Sequence, residues 1–172
     1  MWKQKSQKNL STEQAVYDYA LDMLSYRDYS RKDLELKLQR KGAAAELIPA
    51  VIDKLLEYGL LDEKRYAQRV FEAWLAKKYY GRAHLRLELQ KKNVDARYVA
   101  AILAQLTDEL EQERADAALQ SCCKRNQQKY DPETQAGRAA IGRFLYTRGF
   151  AGKYIQKSIN NIHGSVIVMD EY

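Results

Sequence analysis

The stretch Leu34–Leu55, LELKLQRKGAAAELIPAVIDKL, decides the fold. Leu34 and Leu38 lie one above the other on a helix face, and Gly42 falls where a helix stops in a left-handed conformation. Ile48, Val51, Ile52 and Leu55 then keep the i, i+3, i+4, i+7 spacing of a second buried face. Pro49 limits where that helix begins, because proline is well tolerated only in a first turn. The pattern then returns. Leu85, Leu89, Asn93, Val99, Leu103 and Leu106 stand 51 positions after Leu34, Leu38, Gly42, Ile48, Ile52 and Leu55. Ile141, Leu145, Gly149, Ile155, Ile159 and Ile162 follow 56 positions further on. A period near fifty residues with helical spacing inside it is a tandem array of one supersecondary unit. Such an array offers a surface to a macromolecule more readily than it encloses a reaction.

Working outward, each copy gains a longer helix in front. Ser11-Thr12-Glu13-Gln14 reads as a capping box pairing Ser11 with Gln14. Ala15, Tyr19, Ala20, Met23 and Leu24 form the apolar stripe behind it. Ser30 caps the short helix of Leu34 and Leu38, with Asp33 at its third position. Gly59 ends the helix of Ile48–Leu55. Asp62 caps the next long helix, through Tyr66, Ala67, Val70, Phe71, Trp74 and Leu75. Gly81 stands in the place of Ser30 as a weaker cap. Asn93 replaces Gly42 as the next-best left-handed stop, and Asp95 caps the helix of Val99–Leu106. The third copy opens near Asp108 with Glu111 completing a capping box. Its five extra residues (56 minus 51) fall around Tyr130-Asp131-Pro132, where proline breaks helix.

The fold expected is all-α: three tandem three-helix repeats stacked into an elongated curved array. The divisions are a flexible arm over 1–10, repeats over 11–61, 62–107 and 108–162, and a tail over 163–172. The tail carries Val166-Ile167-Val168, which fits no repeat.

With 30% charged residues, 8 glycines and 2 prolines in 172 residues, the composition suits helices rather than a turn-rich β fold. Apolar runs are too short for a membrane span, and Met1–Leu10 has no apolar signal core. A cytoplasmic, membrane-free monomer is the expectation. Cys122 and Cys123 are adjacent, with no metal-ligand spacing, and Cys122 aligns with Ala115, Ala118 and Leu119 as a small buried side chain.

The net charge of +6 points to anionic partners, and its distribution sharpens the point. Arg31, Arg82 and Arg138 occupy equivalent places, as do Lys41, Lys92 and Arg148. Lys32, Lys37, Arg40, Arg86, Lys91 and Arg143 lie between them, so the second helix of every repeat is basic. These twelve residues form the candidate partner- or DNA-binding stripe. Cations near a helix C-terminus also complement the dipole, which is their purely structural role. Tyr29, Tyr79 and Tyr80 flank the loops before the basic helices and are candidate stacking platforms. Tyr17, Tyr19 and Tyr66 have the register of core residues.

A helix-turn-helix reader of DNA sequence is disfavoured. Base readout needs suitable side chains on the third helices, and these carry Asp53, Lys54 and Glu57, or Arg97 alone. No catalytic residue, metal ligand or cofactor site is assigned. His84 and His163 are on separate repeats, and no phosphate loop, zinc spacing or nucleophile motif occurs. The acidic residues read as solvated helix faces.

Three segments together resemble the RecX family of regulatory proteins. They are Leu55-Leu56-Glu57-Tyr58-Gly59-Leu60-Leu61-Asp62-Glu63-Lys64-Arg65-Tyr66-Ala67, Gly81-Arg82 with Leu85, Glu88, Leu89, Lys92 and Val94, and Arg143-Phe144-Leu145-Tyr146-Thr147-Arg148-Gly149-Phe150 with Ile155. The likeness spans about residues 15–162, and Asn93 departs from the glycine expected there. The resemblance implies three tandem three-helix units and a bacterial modulator of homologous recombination, DNA repair and the SOS response. Such a modulator binds the RecA filament and usually suppresses its ATP hydrolysis, strand exchange and LexA cleavage. It implies no catalytic residue and no cofactor. Single- or double-stranded DNA is expected to bind weakly and non-specifically. The alternatives are a stand-alone nucleic-acid-binding array and a structural adaptor away from nucleic acid.

Overall fold

The computed structural model describes residues 10–165, and the Val166-Ile167-Val168 segment lies outside them. Among the described residues there are nine α-helices and no strand. They are α1 (Glu13–Tyr26), α2 (Arg31–Arg40), α3 (Ile48–Glu57), α4 (Glu63–Leu75), α5 (Arg82–Lys91), α6 (Ala96–Ala104), α7 (Asp108–Arg125), α8 (Gln135–Thr147) and α9 (Gly152–Ser165). Within the first repeat α1, α2 and α3 all touch one another, and α7, α8 and α9 do the same in the third.

The repeat pattern is the burial pattern on the second helices, whereas on α9 the buried positions are Tyr154 and Ser158 and the repeat positions Ile155, Ile159 and Ile162 are only partly covered. Leu34, Leu38, Leu85, Leu89, Ile141 and Leu145 are all fully buried. Gly42, Asn93 and Gly149 have φ of 89°, 53° and 86°, so all three stop their helix in the left-handed region. Ser30 accepts a hydrogen bond from the Asp33 amide at 3.1 Å, and Asp62 from the Arg65 amide at 2.8 Å. Asp95 accepts from the Arg97 amide at 2.9 Å.

Elsewhere the helix starts shift by one residue. Thr12, not Ser11, caps α1, its hydroxyl accepting from the Ala15 amide at 3.3 Å. Thr107 caps α7, accepting from the Leu110 amide at 3.2 Å. Glu111 therefore makes no capping box, and its side chain turns inward instead. The buried residues of α1 are Val16 and Ala20, with Tyr19, Met23 and Leu24 only partly covered. Leu10, placed in the arm on composition, is 4% exposed and joins the core of the first repeat.

The chain divides into two compact units that do not follow the repeats. One holds the described residues up to Arg69 together with Gln90–Tyr98; the other holds Val70–Leu89 and the described residues from Val99 onward. The first has a core of Val16, Leu34, Leu38, Val51, Ile52 and Leu55. The second has one built on Ala115, Ala118, Leu119, Cys122, Ile141, Leu145 and Phe150. No helix among the described residues is long and apolar enough to cross a membrane.

Candidate functional site

The twelve cations of the second helices do not share one environment. Arg31 is half-exposed and engaged. Its Nε donates to Glu35 at 2.9 Å, its Nη2 lies 3.5 Å from Asp53, and its backbone amide donates to Glu63 at 3.2 Å. The hydrogen bond to Glu35, ahead of the desolvation that opposes it, raises the Arg31 pKa.

Arg82 is committed to the interior. Its Nε donates to Glu111 Oε2 at 2.9 Å and its Nη1 to the Leu103 carbonyl at 2.7 Å, while its Nη2 donates to the Leu106 carbonyl. Its backbone amide donates to Glu111 Oε1 at 3.0 Å. Glu111 is fully buried, so the reading of the acidic residues as a solvated face fails for it. A carboxylate there costs several kcal/mol of desolvation unless its charge is met, and Arg82 meets it.

The first repeat explains why the second needs this clamp. There Gly59 turns left-handed at φ 64°, and the Leu60 and Leu61 amides both close on the Leu55 carbonyl, at 2.9 and 3.0 Å. Helix α6 ends in Leu103-Ala104-Gln105-Leu106-Thr107 with no glycine. The Arg82 guanidinium gives the Leu106 carbonyl a donor and adds a second to the Leu103 carbonyl, which also accepts the Leu106 amide at 3.3 Å.

Gly81 brings no capping side chain to α5, but the fold provides other acceptors. The Gly81 and Ala83 amides donate to the Arg148 and Gly149 carbonyls at 2.9 and 3.1 Å, and the Arg82 amide to Glu111. Arg114 is a second internal cation. It is 7% exposed, lies 4.1 Å over the Trp74 ring, and donates to the carbonyls of Leu75, Lys77 and Tyr80. Burial lowers its pKa.

The remaining cations divide by exposure. Arg138 Nε donates to the Pro132 carbonyl at 2.6 Å. Arg148 stacks 4.7 Å over Tyr80 and 5.0 Å over Phe144, and Lys37 lies 5.8 Å from the Tyr29 ring. Lys32, Arg40, Lys41, Arg86, Lys91, Lys92 and Arg143 are exposed. Among the described residues these seven take no side-chain partner, and they are the open charge of the second helices.

The candidate stacking tyrosines also separate. Tyr29 is 7% exposed, with Arg27 at 4.1 Å on its face, so it is covered. The Tyr80 ring lies against His84 at 4.0 Å and under Arg148. Tyr79 stays exposed. Sequence reasoning passed over Tyr146, which is 74% exposed in the last turn of α8, and Leu87, an exposed leucine on α5. The signal was present: Tyr146 directly follows the buried Leu145 and so lies off the buried face, and Arg143 is three residues before it.

On α6, Arg97 is tied to Asp95, with Nε to Oδ1 at 3.0 Å. That hydrogen bond raises the Arg97 pKa and holds the Asp95 carboxyl below its usual range.

Fold and site together define an all-α tandem three-helix-repeat protein whose second helices carry exposed cations. A family model described as RecX, first three-helix domain, matches residues 17–55, and the Regulatory protein RecX of Pseudomonas fluorescens (strain SBW25) is 32% identical over 151 residues, covering 88% of this chain and 94% of that protein. The chain belongs to the RecX family. The Regulatory protein RecX of Pseudomonas syringae pv. tomato is 34% identical over 141 residues, covering 82% of this chain and 87% of its own. The crystal structure of RecX from Lactobacillus salivarius superposes with a TM-score of 0.78 at 25% identity, covering 88% of this chain and 96% of that one.

Proposed function

We propose that this chain is a non-enzymatic regulator of homologous recombination that binds the RecA nucleoprotein filament and lowers its ATPase, strand-exchange and coprotease activities. It acts by occupancy, in the cytoplasm and as a monomer. Family membership supports the partner. The observation that carries the contact is the open cation set, Lys32, Arg40, Lys41, Arg86, Lys91, Lys92 and Arg143, on the second helices. Exposed cations without acidic partners fit phosphates or acidic protein edges. Arg31, Arg82, Arg138 and Arg148 then serve as framework for those helices.

Co-sedimentation of the purified chain with a RecA–single-strand filament, with RecA alone and with DNA alone tests the reading. Retention by the filament above both controls is expected. Equal retention by bare DNA, steeply salt-dependent, would favour a stand-alone nucleic-acid binder.

A further inference from the structure

The first compact unit holds a cleft of about 430 Å³ whose walls include Arg31, Glu35, Glu63, Gln90, Asn93 and Asp95. Glu63 is its unusual member. It is 8% exposed, yet its only hydrogen-bond donor among the described residues is the Arg31 amide, which donates to Oε1. Its Oε2 accepts nothing among them.

The same chain shows how such a glutamate is completed. Glu111 receives the backbone amide that opens α5, as Glu63 receives the one that opens α2, but Glu111 also receives the guanidinium of Arg82. Arg31 is the positional equivalent of Arg82, and it does not do this. Its guanidinium is drawn to Glu35 and Asp53. One glutamate of the two therefore has a guanidinium hydrogen-bonded to it, while the guanidinia near the other, of Arg31 in the cleft wall and of Arg97, act on it through space and are bonded to other carboxylates.

We propose that this cleft takes an arginine side chain from a protein partner, with Glu63 as its principal acceptor. The proposal rests on the reading that the chain docks on a protein filament. A carboxylate nine-tenths buried and half-satisfied gains most from a cation that brings its own donors. A guanidinium suits it better than an ammonium, because its planar fork can serve Glu63 and a neighbouring oxygen together. Gln90 and Asn93, whose side chains can accept a hydrogen bond, line the same cleft. Asp95 is shared with Arg97, and the exposed Lys32 is the opposing charge an entering arginine must pass.

The test uses the full chain, isotope-labelled and titrated with N-acetyl-arginine methylamide while amide shifts are followed by NMR. Saturable shifts confined to Arg31, Asn93, Asp95 and Ala96 are expected, with weaker binding of the lysine analogue. Glu63→Gln should bind about tenfold more weakly, the worth of one charged hydrogen bond. Arg31→Ala should bind at least as well as the parent, since it removes a competing cation from the cleft wall and keeps the backbone donor. Should Glu63→Gln lose the dispersed spectrum, Ala96→Lys places a tethered ammonium at the exposed start of α6 and should block binding. Shifts scattered over surface carboxylates, equal response to the two analogues, or unchanged binding in Glu63→Gln or Ala96→Lys would overturn the proposal. No recombinase or DNA is present in this titration, so its failure is separate from failure of the filament reading.

Discussion

At the scale of single residues, two arginines at one repeat position do different work because of what surrounds them. Arg31 meets acids on α2 and α3, whereas Arg82 meets a buried glutamate and two helix-end carbonyls. Arg82→Ala leaves Glu111 with one backbone donor, strips the Leu106 carbonyl of its guanidinium donor and leaves the Leu103 carbonyl only the Leu106 amide. The expected cost is ~2–4 kcal/mol, below that of a fully buried pair because Arg82 is partly solvated. Arg31→Ala, at an exposed pair, should cost less than about 1 kcal/mol. Chemical denaturation of the two variants tests the contrast, and equal losses would mean that the Glu111 clamp carries no net stability. Cysteine chemistry is a second test. Burial pushes the Cys122 thiol up to about 12 and also raises Cys123. The nucleophile is the thiolate, so both should alkylate slowly at neutral pH in the folded chain and rapidly in denaturant. Rapid labelling of Cys122 without denaturant would contradict the packing of α7.

Between elements, the decisive contact is where the turn after α8 meets the start of α5. Gly149 has φ 86°, and a Cβ there would meet the His84 amide nitrogen at 2.5 Å. Gly42 has nearly the same φ but open space around its missing Cβ. Gly42→Ala should therefore cost about 1 kcal/mol, from backbone strain alone. Gly149→Ala adds a clash with backbone that cannot rotate away, and should lower the melting temperature clearly more. Equal shifts would indicate that the chain relaxes around Gly149. This contrast also shows what was legible in the sequence. Leu34, Leu85 and Ile141 could be placed in the core, and Gly42, Asn93 and Gly149 at helix stops, because period and left-handed preference are local properties. Caps were legible to within a residue: Thr12 was displaced by its neighbour Ser11, since either hydroxyl suits the pattern. The clamps were not legible. Arg82 reaches a residue 29 positions away, and no local pattern distinguishes it from the exposed Arg86. Charge on the second helices is legible in the sequence as a distribution, but sorting its members into open and internal cations needs tertiary contacts.

For the molecule as a whole, a net charge of +6 is useful to a binding protein only where it is free. Arg82 and Arg114 spend theirs inside, and Arg31 and Arg97 are paired. What remains available on the second helices is concentrated at the ends of α2 and α5, in Arg40, Lys41, Lys91 and Lys92. Each of these four also complements the negative end of its helix dipole, so neutralising one costs only a few tenths of a kcal/mol up to about 1 kcal/mol. Replacing all four by Gln removes four exposed charges without opening the core, so circular dichroism should show the parent helicity. If these charges meet phosphates in the filament or in single strands, affinity falls. The slope of log K against log salt should then become shallower by roughly 0.7 for every phosphate that is no longer neutralised. The Arg31→Ala, Arg82→Ala, Arg138→Ala triple variant provides the opposing control. It removes engaged rather than open cations, so it should lose stability while the salt slope of the fraction still folded changes little. A quadruple variant that binds with the parent's affinity and slope at every salt concentration would place the interface on another face. A triple variant that keeps its stability and loses its slope would return the partner-binding role to Arg31, Arg82 and Arg138.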